Sequence, residues 1–98
     1  MAQHATVVAP NVYTVLFEND RIRLLQVTME PGVSSAQHSH PDYLVYALSD
    51  GTVRLSDASG QAAEVPIKAG DVMWRDAEVH SAVNTGKVTL SALFFELK

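Results

Sequence analysis

The side chains with the most chemistry to offer are His38 and His40, one residue apart, and a third histidine, His80, in the second half of the chain. On an extended strand successive side chains point to opposite faces, so His38 and His40 point the same way. An H-x-H pair therefore presents two imidazoles side by side, the geometry that fills two adjacent positions around one metal ion. The pair alone also fits a second reading, two surface histidines in a loop rich in Ser and Gln. Nothing else in the chain competes for a catalytic role. There is no cysteine, hence no thiol nucleophile, thiolate ligand or disulfide. Ser, His and Asp are present, but no motif assembles them into a hydrolytic triad. His4 sits in the weakly patterned N-terminal segment and is given no role.

The elements that must position these histidines read as short strands. Val12–Phe17 and Arg21–Met29 are rich in β-branched and aromatic residues and are separated by the turn cluster Glu18-Asn19-Asp20. Glu30-Pro31-Gly32 ends the second, because proline cannot donate to a ladder and glycine tolerates positive φ. Val33–Gln37 leads into the histidine pair. Leu44–Leu48 is a strand closed by Ser49-Asp50-Gly51, and Thr52–Ser56 and Gln61–Val65 flank the turn Asp57-Ala58-Ser59-Gly60. Pro66–Asp71 reads as a loop, Val72–Trp74 as a strand, and Arg75–Val79 as irregular. His80–Asn84 and Val88–Leu97 complete the set. No window of helical length shows a 3.6-residue apolar period. The expectation is all-β: a sandwich or small barrel of about eight strands.

The chain has 98 residues, enough for one domain spanning 1–98, with residues 1–10 expected to be a flexible segment. The net charge is −4 and the seven Lys and Arg are spread singly, which argues against a nucleic-acid surface and against an anionic-lipid anchor. No apolar run approaches the ~18 residues of a membrane span. The N-terminus lacks a basic region followed by an apolar stretch, so no signal peptide is expected, and a cytoplasmic location is.

The stretch Gly32–Gly51 resembles the first motif of the cupin superfamily. Gly32 is followed by five residues and His38-Ser39-His40, then three residues to Leu44 and six more to Gly51. The family places a glutamate where Leu44 stands. The second motif is matched by Gly70-Asp71-Val72-Met73-Trp74 and by His80, three residues and Asn84. Its Pro-x-Gly is replaced by Arg75-Asp76-Ala77, one residue closer to Gly70. The resemblance, to small bacterial single-domain cupins, implies a double-stranded β-helix, or jelly roll. It implies one divalent transition metal ion (Fe, Zn, Mn or Ni) held by His38, His40 and His80. Without the glutamate the site resembles the three-histidine variants of the family, or a cupin that has lost its metal.

If the strand after His40 runs on regularly, Leu44, Tyr46 and Leu48 share its face and Leu44 projects toward the ion. Val72 and Trp74 stand on the neighbouring wall. Core packing suits Leu48 and Val72, leaving Leu44, Tyr46 and Trp74 as pocket-lining candidates. Asn84 is expected to hold a turn or orient His80. Two functions follow. One is a metal-dependent oxygenase, lyase or isomerase acting on a small molecule. The other is a module that binds or senses a small ligand without turnover. A homodimer is expected, because small jelly rolls keep sheet edges and Val12–Phe17 is apolar on both faces.

Overall fold

Short β-branched runs cut by Gly, Pro, Asn and Asp cannot form long elements, and the described residues fold as nine strands and one four-residue helix. The computed structural model describes residues 3–98. Helix α1 is Ala5–Val8. The strands are β1 (Tyr13–Glu18), β2 (Ile22–Met29), β3 (Ser34–His40), β4 (Tyr43–Ala47), β5 (Gly51–Asp57), β6 (Ala62–Ile67), β7 (Val72–Arg75), β8 (Glu78–Asn84) and β9 (Leu90–Leu97). They form a five-stranded sheet in the order β1-β2-β9-β4-β7 and a four-stranded sheet in the order β3-β8-β5-β6. Every strand pair is antiparallel. This is the expected double-stranded β-helix.

Local chemistry sets the turns. Asp57 receives the backbone N–H groups of Ser59 and Gln61 on its carboxylate at 2.9 and 3.0 Å, and Gly60 closes the hairpin at φ +92°. Asn84 donates to the carbonyls of Met29 and Val88 at 2.8 and 2.9 Å and accepts the N–H of Gly86. It holds the turn into β9, one of the two roles expected of it. The core lies between the sheets, where Leu25, Val27, Met29, Val45, Leu90 and Ala92 are buried. Each large apolar side chain so removed from water stabilises the fold by about 1.5–3 kcal/mol relative to exposure.

Two expectations are corrected at this level. Pro66 and Ile67 are not loop residues. They extend β6, which tolerates proline because it is the edge of its sheet. Glu78 and Val79, read as irregular, belong to β8 and pair with His40 and Ser39. The described part of segment 1–10 lies against the barrel. Ala5 and Ala9 are buried, and the Ser39 N–H donates to the Gln3 carbonyl at 2.8 Å, so the chain start covers the free edge of β3. Residues 1 and 2 of that segment lie outside the described residues.

Candidate metal centre

His38 and His40 lie at the end of β3 and both side chains point into the barrel, as period two requires. In the β3–β8 ladder His80 stands directly opposite His38, and Glu78 opposite His40. Directly opposed residues bring their Cβ atoms within about 5.5 Å. The three rings accordingly form a near-equilateral triangle, with centroids 4.8 Å (His38–His40), 4.8 Å (His38–His80) and 5.1 Å (His40–His80) apart. One ring nitrogen of each lies within 4.8 Å of the others, and all three residues are buried.

Hydrogen bonds decide which nitrogens face the centre. His38 donates Nδ1–H to the Ala36 carbonyl at 2.7 Å, and His40 donates Nδ1–H to Glu96 Oε2 at 2.7 Å. His80 Nδ1 lies 3.4 Å from Glu78 Oε1. With Nδ1 engaged, the Nε2 lone pairs of His38 and His40 are left for the interior. His40 Nε2 and both ring nitrogens of His80 have no hydrogen-bond partner among the described residues, although they are buried. Buried polar atoms without partners are costly and uncommon, and convergent imidazole nitrogens of this kind suit a transition metal ion. The outward Nδ1 contacts are those that orient ligating histidines. Burial also pushes the His38 imidazolium down to about 4, so the ring stays neutral and able to ligate. Burial lowers His40 as well, against the opposing hydrogen bond to Glu96.

Two carboxylates and a phenol complete the site, and none of them was among the expected site residues. Glu96, buried in β9, accepts from His40 and, at 2.8 Å, from His4 Nε2. Burial works to raise its pKa, but the hydrogen bonds from His40 and His4 outweigh that and keep it ionised. Glu78 accepts from Tyr43 Oη at 2.5 Å and from Arg75 at 2.5 and 2.8 Å. Burial would raise it too, yet Arg75, His80 and Tyr43 hold it well below the usual carboxylate range. The Tyr13 hydroxyl donates to His38 Nε2 at 3.2 Å, and burial raises the phenol so that it remains protonated. His4, given no role from sequence, caps α1 through Nδ1 and bridges to Glu96, which ties the chain start to the site. His4, His40 and Glu96 also lie within ligating distance of one another, but their facing nitrogens are spent on Glu96.

The other expected pocket residues are elsewhere. Leu44 is 36% exposed, Tyr46 41% and Trp74 50%, and all three lie on the outer face of the five-stranded sheet. Tyr43, Val45 and Ala47 point inward instead. The reason is the corner at Pro41-Asp42. His40 ends a strand of one sheet and Tyr43 begins a strand of the other, so alternation cannot be counted across it. Val72 and Leu48 follow the same outward parity, at 58% and 45% exposure, and are not core. Asp42 accepts the Ala77 N–H at 2.8 Å and is committed to the corner.

Inside, an apolar cavity of about 80 Å³ extends from Tyr13, Phe94 and His80 to Val53, Met73 and Val65. Residues of β6 and β7, the two sheet edges not covered by α1, line one side of it. Arg75 and His80 line both this cavity and the outer depression beside Gln61 and Ala63.

Solved structures share this architecture. A cupin-domain protein from Bordetella pertussis aligns over 100% of this chain and 97% of its own, with a TM-score of 0.81 and 21% identity. A double-stranded β-helix protein from Klebsiella pneumoniae aligns over 88% of this chain and 75% of its own, with a TM-score of 0.70 and 22% identity. A predicted oxalate decarboxylase from Thermotoga maritima aligns over 88% and 79%, with a TM-score of 0.60 and 28% identity. The chain has the cupin fold, in its small form. No protein-family model matches the sequence, and no curated protein matches it.

Proposed function

We propose that His38, His40 and His80 hold one divalent transition metal ion, Fe, Zn, Mn or Ni. On this reading the chain acts there on a small molecule as a metal-dependent oxygenase or lyase. The observation that carries the reading is the set of three buried, converging imidazoles: Nε2 of His40 and of His80 lack partners, Nε2 of His38 meets only the Tyr13 hydroxyl, and Nδ1 of His38 and His40 is held by the Ala36 carbonyl and Glu96. A bound ion would supply Lewis acidity or dioxygen activation. The protein's own residues do the rest. Glu96 holds His40 in the tautomer that presents Nε2 inward. Tyr13, protonated, donates to His38 Nε2 and, with that lone pair on a metal ion, would turn its O–H to an oxygen of the ligand. The apolar cavity admits a small body with one polar, chelating end. Likeness to a predicted oxalate decarboxylase supports lyase chemistry on a small acid. The cysteine-free composition supports a cytoplasmic setting, and the apolar β1 edge supports a homodimer. Among the described residues no helix is long and apolar enough to cross a membrane.

One observation favours a second reading, a module that binds a small ligand without turnover. Both carboxylates at the site are committed, Glu78 to Arg75 and Tyr43, and Glu96 to His4 and His40, which leaves no free general base. The two readings separate on adding Fe(II) to chelator-treated protein and following oxygen uptake, and in its absence carbon dioxide release, with a panel of small chelating acids. Turnover lost in His80→Ala supports the enzyme. Metal and ligand bound without turnover supports the binding module. Failure to bind metal overturns the enzyme, and failure to bind any ligand of the panel, with or without metal, overturns the binding module.

A further inference from the structure

Two alanines leave the barrel open beside the histidines. Ala82 comes two residues after His80 in β8, and Ala92 two before Phe94 in β9. Alternation puts each on the same inner face as its neighbour, so open volume begins where the imidazole and phenyl rings end. Both alanines are buried and both line the apolar cavity of about 80 Å³. At its other end the cavity is bounded by Val53, Val65 and Met73. Its only polar lining side chains among the described residues are Tyr13, His80, Ser91 and Arg75. Tyr13 and His80 belong to the metal centre. Arg75, the one charged member, is paired with Glu78 through Nε and Nη2 at 2.5 and 2.8 Å, so its charge is already neutralised.

We propose that the small molecule taken at the three histidines is a short aliphatic acid with one chelating end and a hydrocarbon tail of about three carbons, and that Ala82 and Met73 set the length of that tail. The proposal rests on the metal reading above and adds the class and size of the ligand. Volume gives the size. A cavity of about 150 Å³ holds the six carbons of benzene, so one of about 80 Å³ holds about three. An aromatic ring is too large for it. The lining gives the class. A second carboxylate in this space would be buried in hydrocarbon with no free cation beside it, which excludes small diacids. Met73 sets the length because it bounds the far end. Ala82 sets it because each carbon added there takes volume from the tail. Every methylene that leaves water for the cavity is worth about fourfold in affinity, until the space is full.

The test uses the full chain loaded with Co(II) and a series of hydroxamic acids, which chelate through the same two oxygens whatever their tail. Dissociation constants are read from the visible absorption of the bound ion. The expected affinity rises about fourfold per methylene from acetohydroxamate to butyrohydroxamate and falls again for hexanohydroxamate and benzohydroxamate. Succinomonohydroxamate matches butyrohydroxamate in length but ends in a carboxylate, and binds at least ~tenfold more weakly. Ala82→Val fills part of the cavity and makes acetohydroxamate the best of the series. Met73→Ala deepens it and moves the optimum to hexanohydroxamate. Circular dichroism confirms that each variant is folded, and Ala82→Val, which fills space rather than opening it, decides the matter if Met73→Ala does not fold. A wild type that takes up no Co(II) overturns the metal reading and this inference together. Co(II) bound with affinities independent of tail length, succinomonohydroxamate as tight as butyrohydroxamate, or the same optimum in wild type and Ala82→Val overturns this inference and leaves the metal reading standing.

Discussion

Glu96 accepts the Nδ1–H of His40 at 2.7 Å although the two residues lie 56 positions apart in the sequence and in different sheets. The bond fixes which imidazole nitrogen faces the barrel centre, and the carboxylate charge makes His40 a stronger donor. Glu96→Gln keeps an acceptor oxygen and loses the charge. It should retain the fold and weaken metal binding roughly 10–100-fold, the usual cost of removing a group that orients a ligating histidine. Titration of chelator-treated wild type and variant with Co(II), read from the visible absorption of the bound ion, checks this. An unchanged affinity would mean that Glu96 serves stability alone.

Leu44 occupies the position at which related motifs carry a glutamate, and its side chain points away from the histidines. Leu44→Glu should therefore leave metal affinity unchanged, in contrast to the tightening expected if residue 44 faced the ion. Isothermal titration of the chelator-treated protein measures it. A severalfold gain in affinity would show that β4 is turned over relative to the structure.

His38 carries a pH prediction for the metal-free protein. Its folded value, about 4, lies below the ordinary 6.5 because burial disfavours the charged ring. Between those values the unfolded chain takes up a proton that the folded chain refuses. Stability therefore falls as pH drops from about 6.5 toward 4, and this contribution levels off below that. Urea midpoints at pH 7, 6 and 5 in the presence of chelator should decline, and His38→Phe should flatten the decline. Equal slopes in wild type and variant would remove His38 as a source.

His4 links the chain start to the site through Glu96 and caps α1. His4→Ala removes both contacts and leaves a buried carboxylate with one partner fewer. A loss of about 2.5–4 kcal/mol is expected from urea unfolding, the sum of a cap and a charged hydrogen bond. Hydrogen exchange should rise selectively at the Ser39 amide, which α1's leading residues hold closed. Exchange there at the wild-type rate would contradict the docking of this segment.

What sequence reasoning could reach follows from the range of each interaction. Period two placed His38 and His40 on one face, and the structure agrees. His80 came from motif spacing, and the β3–β8 ladder explains it by setting His80 opposite His38. Glu78 was within reach, because Glu78 and His80 are two apart and share a strand face. Glu96 left a fainter signal, a single carboxylate in the apolar run Phe94–Leu97 with the inward parity of Ala92 and Phe94. His4 left none, since its partner is 92 residues away. Leu44 and Tyr46 were misplaced for one reason, and Trp74, set on the wall beside them, shares Leu44's outward face as its ladder partner. Alternation holds within a strand and was carried through Pro41-Asp42, where the chain changes sheets.

The central claim, that the three imidazoles are a metal centre, meets its most direct test in the metal content of the purified full chain by mass spectrometry, wild type against a His38→Ala, His80→Ala double variant. The account predicts close to one transition metal ion per wild-type chain and almost none in the variant, with circular dichroism unchanged. Equal metal in the two proteins would contradict it and place the metal elsewhere.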